Sequence, residues 1–293
     1  MMNRKIVSVL LLIVPLWAWS AVPAAVNDTT PEELYRLGHY YLNGNDSLGI
    51  YMNKEKGVEL IRRAAEQGYL LGRFQMAAFY EGGLENLSQD YTQVAYWYRK
   101  AAEQGDGQAQ VLLGFCYDEG RGVSQDYSQA VYWWRKAAEQ GDAGAQYQLG
   151  MCYEGGQGVF QDYEQAVYWY RKSAEQGNAW GQCNLGLCYA EGQGVSQDYE
   201  QAVYWYRKAA EQGDVDAQCR LGLSYANGQG VPQNYEQAVY WWRKAAEQGY
   251  ANAQYSLGLC YANGQGVAQD SKQAEYWKKL AIQNGYRPKN HNR

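Results

Sequence analysis

Asp126-Tyr-Ser-Gln-Ala-Val-Tyr-Trp-Trp-Arg-Lys-Ala-Ala-Glu-Gln-Gly141 is the stretch that decides how this chain is read. Near-copies begin at Asp90, Asp162, Asp198, Asn234 and Asp270. The closing glycines Gly68, Gly105, Gly141, Gly177, Gly213, Gly249 and Gly285 stand 37, 36, 36, 36, 36 and 36 residues apart. A fixed period of this length marks a repeat array, one supersecondary unit stacked on copies of itself.

The stretch carries its own start and stop signals. Asp126 is an N-cap residue, and Gln129 stands three positions on, where a capping box would let its side chain reach back to the cap's N–H. Gly141 follows the last turn, where a left-handed residue closes a helix at little steric cost. At 100° per residue, Ala130, Trp133, Trp134, Ala137 and Ala138 share one broad face, while Arg135 and Glu139 fall on the other. Trp97, Trp133, Trp169, Trp205, Trp241 and Trp277 therefore read as one core anchor per repeat. Tyr96, Tyr132, Tyr168, Tyr204, Tyr240 and Tyr276 point away from that face. They read either as one duplicated surface residue or as a partner-binding stripe.

A shorter helix precedes each tryptophan helix. In the fourth unit it runs from about Ala143 to Glu154, with Ala145, Leu149, Cys152 and Tyr153 as its core face and Gly150 allowing close approach. Gly156-Gln157-Gly158-Val159 follows, repeated at Gly120, Gly192, Gly228 and Gly264. This is no nucleotide loop, because no strand precedes it and the third glycine is missing. It reads as a tight helix-to-helix turn whose valine returns to the core.

The combined pattern Ala-x-x-x-Leu-Gly-x-x-Tyr, Gly-x-Gly-Val, Asp, Ala-x-x-Trp-Tyr/Trp-x-Lys-Ala-Ala-Glu-Gln-Gly resembles the Sel-1-like repeat (SLR), a relative of the tetratricopeptide repeat. The resemblance covers about residues 32–285 and is tightest in units three to six. It departs in unit one, which lacks the tryptophan, and in unit two, where Ala77 and Ala78 replace Leu-Gly. It implies an all-α, α/α superhelical solenoid that binds proteins or acts as an adaptor. Exported bacterial members are often linked to envelope or host interactions, and some cysteine-rich ones have been described as penicillin-binding or weakly β-lactam-hydrolysing. The architecture also follows from the residues, since one helix pair cannot bury its apolar face alone and must stack on neighbours. Seven units are expected within 27–285, at about 32–68, 69–105, 106–141, 142–177, 178–213, 214–249 and 250–285. Thr30-Pro31-Glu32-Glu33 opens the first helix, and Glu275, Lys278, Lys279 and Gln283 give the last one a polar, capping face.

Residues 1–24 stand outside the repeats. Arg4 and Lys5 precede an apolar run from Ile6 to Trp19, the length of a signal-peptide core and short for a membrane span. Cleavage fits after Ser20 or after Ala24; an uncleaved anchor is the alternative. The expected location is periplasmic or secreted. No later apolar run is long enough to cross a bilayer. Without Arg4 and Lys5, 24 basic residues face 31 acidic ones, a net charge of −7, which argues against a nucleic-acid or anionic-membrane surface. Residues 286–293 form a short basic tail, expected to fray. The expected state is a monomer.

A search for chemistry yields no catalytic, cofactor-binding or metal-binding set. The only histidines are His39 and His291, and no His-Glu-x-x-His, Cys-x-x-Cys, Ser-x-x-Lys or Lys-Thr-Gly occurs. Cys116, Cys152, Cys188 and Cys260 occupy one repeat position, Cys183 and Cys219 another. Same-register cysteines on helices ~8–10 Å apart are too distant for a disulfide, whose Cα atoms lie about 4.4–6.8 Å apart. The diagonal pairs Cys152–Cys183 and Cys188–Cys219 are the geometric candidates, against six buried thiols serving as small core residues.

Positions that vary inside the fixed frame are free to specialise. On the first helices these are Val111, Tyr147, Cys183, Cys219 and Tyr255, then Leu112, Gln148, Asn184, Arg220 and Ser256, then Phe115, Met151, Leu187, Leu223 and Leu259. Trp180 and Asp216 sit at the starts of their helices on the same rim. Val111, Tyr147, Met151, Trp180, Asn184, Arg220 and Tyr255 make up the expected partner-binding set on the inner, concave curve. Packing between neighbouring helices competes for Phe115, Met151 and the leucines. Two functions follow: a non-enzymatic scaffold for a protein or peptide, or a hydrolase acting on a β-lactam or cell-wall peptide.

Overall fold

A computed structural model of the chain describes residues 29–84 and 87–287. The signal-peptide reading of residues 1–24, both cleavage positions, His291 and the tail beyond Arg287 lie outside the described residues. The described residues form fourteen α-helices and one short 3-10 helix, with no strand among them beyond two isolated bridges. The chain divides into two compact units between Gln89 and Asp90.

The first unit holds α1 (Pro31–Asn43), α2 (Lys54–Glu66) and α3 (Leu70–Gly82). Its entry is a full capping box: Thr30 Oγ1 accepts from the Glu33 N–H, and the Thr30 N–H donates back to Glu33 Oε2 at 2.9 Å. Leu34, Leu37, Ile50, Leu60 and Ala64 form its core. The long loop after α1 is held by an Asn45–Ile50 bridge and the 3-10 turn Asp46–Leu48.

The second unit begins with α4 (Tyr91–Ala102) and continues as five hairpins. These are α5 (Gly107–Glu119) with α6 (Tyr127–Glu139), α7 (Ala143–Gly155) with α8 (Tyr163–Glu175), and α9 (Ala179–Glu191) with α10 (Tyr199–Glu211). Then come α11 (Val215–Asn227) with α12 (Tyr235–Glu247), and α13 (Ala251–Asn263) with α14 (Ser271–Gln283). From α4 to α14 each helix of this unit packs on its neighbours in chain order. Trp97, Trp133, Trp169 and Trp241 are buried, as their place on the alanine face requires, and Trp205 and Trp277 are half-buried. The second aromatic of the motif is buried too: Trp134, Tyr170, Tyr206 and Trp242 lie over Gly114, Gly150, Gly186 and Gly222, where a Cβ would collide with the ring.

The capping box expected at each even helix is only half made. Asp126 caps the Ser128 and Gln129 N–H groups, but its own N–H already donates to the Tyr117 carbonyl at 2.9 Å. No donor is left for Gln129, which stays exposed. The same bond fixes Asp162 to Tyr153, Asp198 to Tyr189, Asn234 to Tyr225 and Asp270 to Tyr261.

Three links, none of them anticipated from the sequence, join the units of the array. The buried Gln110, Gln146, Gln182, Gln218 and Gln254 each donate to the carbonyl of Ala102, Ala138, Ala174, Ala210 or Ala246. Each also accepts from the amide thirty residues on: Gln140, Gln176, Gln212, Gln248 and Asn284. Arg99, Arg135, Arg171, Arg207 and Arg243 donate to the hydroxyls of Tyr117, Tyr153, Tyr189, Tyr225 and Tyr261, bridging each even helix to the next odd one. The loop glycine Gly158, at φ +71°, lies so close to the start of α6 that a Cβ would overlap the Tyr127 carbonyl. Beside it, Val159 is half-buried against the core.

Candidate functional site

The odd helices α5 to α13 carry the varied positions, and the structure sorts them into three groups. Val111 and Phe115 belong to packing. Val111 is half-buried and its carbonyl accepts from Trp134 Nε1 at 3.2 Å, while Phe115 meets the Trp134 ring edge-on at 5.3 Å. Both are drawn inward because Trp134 fills the space over Gly114.

The second group is an open aromatic cluster. Trp180, in the first turn of α9, is 58% exposed. Its ring lies 5.8 Å from that of Tyr147 on α7, inclined by 39°, and Tyr147 in turn lies 6.1 Å from the buried ring of Tyr170 on α8. Asn184, one turn beyond Trp180, lies beside the Tyr147 hydroxyl. The Tyr170 hydroxyl donates to Glu154 Oε2 on α7. Burial, more than offsetting the nearby Asn184 amide, pushes the Tyr147 phenol above its ordinary value, and the Cys183 and Glu154 side chains add to the rise. Met151, one turn on from Tyr147, is 43% exposed.

The third group is polar. Arg220 Nε donates to Asp216 Oδ2 at 2.9 Å, and the guanidinium lies near the Tyr206 phenol. The Tyr250 hydroxyl donates to Asp216 Oδ1 at 2.7 Å, and Cys183 Sγ lies 3.7 Å from Asp216 Oδ2. Burial alone would raise the Asp216 carboxyl. The bonds from Tyr250 and Arg220 outweigh it and hold the carboxyl below the usual range. Cys183 shares α9 with Trp180 and Asn184, so one helix carries the edge of both groups. Tyr255 instead stacks on Tyr286, centroids 4.1 Å apart and planes at 16°, so the tail is docked at its first residue.

Of the expected partner set, Tyr147, Trp180 and Asn184 are therefore brought together, Arg220 joins the adjoining network, Met151 stands free, and Val111 and Tyr255 are engaged in packing. Sequence reasoning missed Glu154, Tyr170 and Tyr250. Tyr250 had a signal, since within the second unit it occupies the N-cap column held by Asp106, Asp142, Asn178 and Asp214, and, like Tyr69 before α3, it makes no side-chain cap.

All six cysteines are free, five buried and Cys219 half-buried. The expected pairs are not brought together. Cys152 packs with Ala130 and Trp134, and Cys183 with Tyr206 and Leu221. Cys188 packs with Tyr170 and Leu185, and Cys219 against Trp242. Burial pushes the thiols of Cys152, Cys188 and Cys219 up to about 12 and that of Cys260 to about 11. Such groups are protonated at neutral pH and poor nucleophiles. On the even helices the tyrosine row is exposed, 44% at Tyr96 to 56% at Tyr276.

Among known proteins, the chain is similar to a protective antigen of uropathogenic Escherichia coli strains that displays an SLR fold. The two share 38% identity and a TM-score of 0.77, over 87% of this chain and 54% of the antigen. It is similar also to a Sel1 repeat protein from Oxalobacter formigenes, at 31% identity and a TM-score of 0.68, over 88% of this chain and 97% of that one. A short stretch of 69 residues is 30% identical to HRD3A of Arabidopsis thaliana, an ERAD-associated E3 ubiquitin-protein ligase component; it spans 24% of this chain and 10% of that protein. The Sel1 repeat pattern matches residues 34–69, 70–106, 107–142, 143–178, 181–214, 215–250 and 251–286. Seven consecutive matches over most of its length place this chain in the Sel1 repeat family.

Proposed function

We propose that this chain is an exported, non-enzymatic scaffold that holds a segment of a partner protein against the odd helices α7 to α13. Sel1 repeat proteins are in general protein-interaction scaffolds, which supports the class of function. The observation that carries the site is the distribution of variation. The residues that link unit to unit repeat from copy to copy, whereas Tyr147, Trp180, Asn184, Asp216, Arg220 and Tyr250 differ between copies and gather in two groups, Tyr147 with Trp180 and Asp216 with Arg220 and Tyr250. Val111 and Phe115 also vary but are taken up by Trp134, whereas Trp180 is left largely exposed. Large, rigid aromatics flanked by adaptable amides suit a protein contact. Export rests on the basic and apolar pattern of residues 1–24. The net charge of −5 disfavours nucleic acid as the partner.

The test is site-specific photocrosslinking in an envelope or secreted extract, with a benzophenone side chain at Met151 on the odd face or at Tyr204 on the even face. One polypeptide captured from Met151, absent from Tyr204 and displaced by excess unlabelled chain, is the expected result. Capture from Tyr204 alone, or from neither position, would end the reading.

A further inference from the structure

Resting on that reading, we infer that the partner segment is cationic, and that one of its arginine or lysine side chains seats on the Tyr147–Trp180 ring pair opposite Glu154.

The chain itself shows how it treats an exposed aromatic ring. On the even helices five of the six tyrosines of the row have a lysine one turn on: Lys100 over Tyr96 at 5.7 Å, Lys136 over Tyr132 at 5.0 Å, Lys172 over Tyr168 at 5.2 Å, Lys208 over Tyr204 at 4.7 Å and Lys244 over Tyr240 at 4.8 Å; Tyr276 has Leu280 there instead. These distances lie within the range in which a cation is drawn to a ring face. The odd helices reverse the arrangement. Tyr147 and Trp180 present inclined rings, Trp180 largely to solvent, and no lysine or arginine of the described residues stands over either.

The charges of the odd helices point the same way. From α5 to α13 they carry Asp118, Glu119, Glu154, Glu191 and Asp216 against one cation, Arg220, which Asp216 already holds. Glu154 has no ion-pair partner among the described residues. Its carboxylate accepts from Tyr170 beside the ring pair, and its field reaches Tyr147. Two ring faces with a carboxylate alongside form a site for a guanidinium or an ammonium. A second copy of this chain is a poorer source of that cation. From α4 to α12 its even-helix arginines are bonded to tyrosine hydroxyls and the lysines lie over their own tyrosines, which leaves Lys272, Lys278 and Lys279 of α14 as the even-helix cations its second unit could offer.

The experiment uses the full chain and a short capped, fluorescein-labelled peptide alternating arginine with leucine, followed by fluorescence anisotropy. Citrulline and glutamate versions keep the length and remove or invert the charge. The arginine peptide is expected to bind at least about tenfold more tightly than the citrulline peptide, with no binding of the glutamate one. Trp180→Ala should weaken it about tenfold and Trp180→Phe much less, because a ring remains. Glu154→Gln should weaken it several-fold, and Tyr204→Ala should leave it unchanged. Equal, Trp180-dependent binding of the arginine and citrulline peptides would overturn the cation site while the odd-helix groove stood. No peptide binding together with an intact Met151 crosslink would overturn it in the same way. Loss of both the peptide and the crosslink would remove both readings. Concentration-dependent dimerisation abolished by Trp180→Ala would assign the face to a second copy and overturn the inference.

Discussion

Replacing Gly158 by alanine isolates what one loop contributes to holding one repeat on another. Three glycines of the second unit share a left-handed backbone but differ in surroundings: Gly141 at φ +98° with nothing near a new Cβ, Gly156 at φ +67° with ordinary contact to Gln161, and Gly158 at φ +71°. At Gly158 the Cβ would lie 2.9 Å from the Ser128 nitrogen and closer still to the Tyr127 carbonyl. Left-handed strain costs an L-residue about 1–2 kcal/mol, and all three variants share it. They also share the reduced freedom of the unfolded chain, so that effect cancels between them. Only Gly158→Ala must in addition push the backbone at the start of α6 back, an overpacking cost of about 1–3 kcal/mol. Gly141→Ala and Gly156→Ala should therefore each lose about 1 kcal/mol, and Gly158→Ala about 2–4 kcal/mol. Urea unfolding followed by far-ultraviolet circular dichroism measures all three against the parent chain. If Gly158→Ala costs no more than Gly141→Ala, the loop does not hold adjacent repeats together and the account of the Gly-x-Gly-Val motif is wrong.

Gln182→Ala should cost about 1–3 kcal/mol, because it removes two hydrogen bonds at a buried position, while the Ala174 carbonyl keeps its bond from the Gly177 N–H; Gln212→Ala, whose side chain is exposed and which loses one of the two, should cost about 1 kcal/mol or less, and a Gln182→Ala loss no larger than that of Gln212→Ala in urea unfolding would refute the ladder. Iodoacetamide at pH 8 should label Cys152, Cys188 and Cys219 in the folded chain on the order of a thousandfold more slowly than in urea, since their pKa near 12 leaves little thiolate; rapid native labelling by mass spectrometry would contradict their burial. Asp216→Asn should destabilise modestly at neutral pH, by about 1 kcal/mol or less for a partly exposed pair. Because the Asp216 pKa is depressed on folding, its contribution is present above the unfolded value of about 3.9 and is lost as pH falls through the folded value; a gap between parent and variant that persists below that range in acid titration of stability would show another cause.

Element type and period were legible because each repeat states them six or seven times over: caps, alanine face and closing glycine recur in register, and noise at one copy is corrected by the others. The glutamines of the Ala-Gln and Glu-Gln-Gly pairs were just as regular, but glutamine carries no hydropathy signal that separates a buried latch from a solvated surface. Gln146 and Gln148 look alike in the sequence, and only the packing of α7 against α6 and the end of α8 makes one buried and the other half-buried. The capping box misled for a related reason. The pattern Asp126 to Gln129 is local, while the bond that displaces it comes from Tyr117, on the preceding helix. For the site, variation within a fixed frame located Trp180, Tyr147 and Asn184. It could not separate them from Val111, because the facing residue, Trp134 or Tyr170, decides which side chains are drawn inward.

The glutamine latch has a consequence for how such a chain changes over generations. Each latch reaches back eight residues and forward thirty, and the arginine–tyrosine link spans eighteen. No latch reaches past the adjoining copy, and both ends of every latch are the same residue types in the interior copies. A 36-residue unit inserted or excised in frame between Gly141 and Gly249 leaves every remaining copy with matching latches on both sides. Near-identical coding segments invite unequal recombination, so length is the property this chain alters most readily without unfolding. The odd-helix contacts lack that immunity. Loss of the copy bearing Trp180 would leave a sound array in which Tyr147 faces a different neighbour, so recognition would change in a single event while the scaffold persisted.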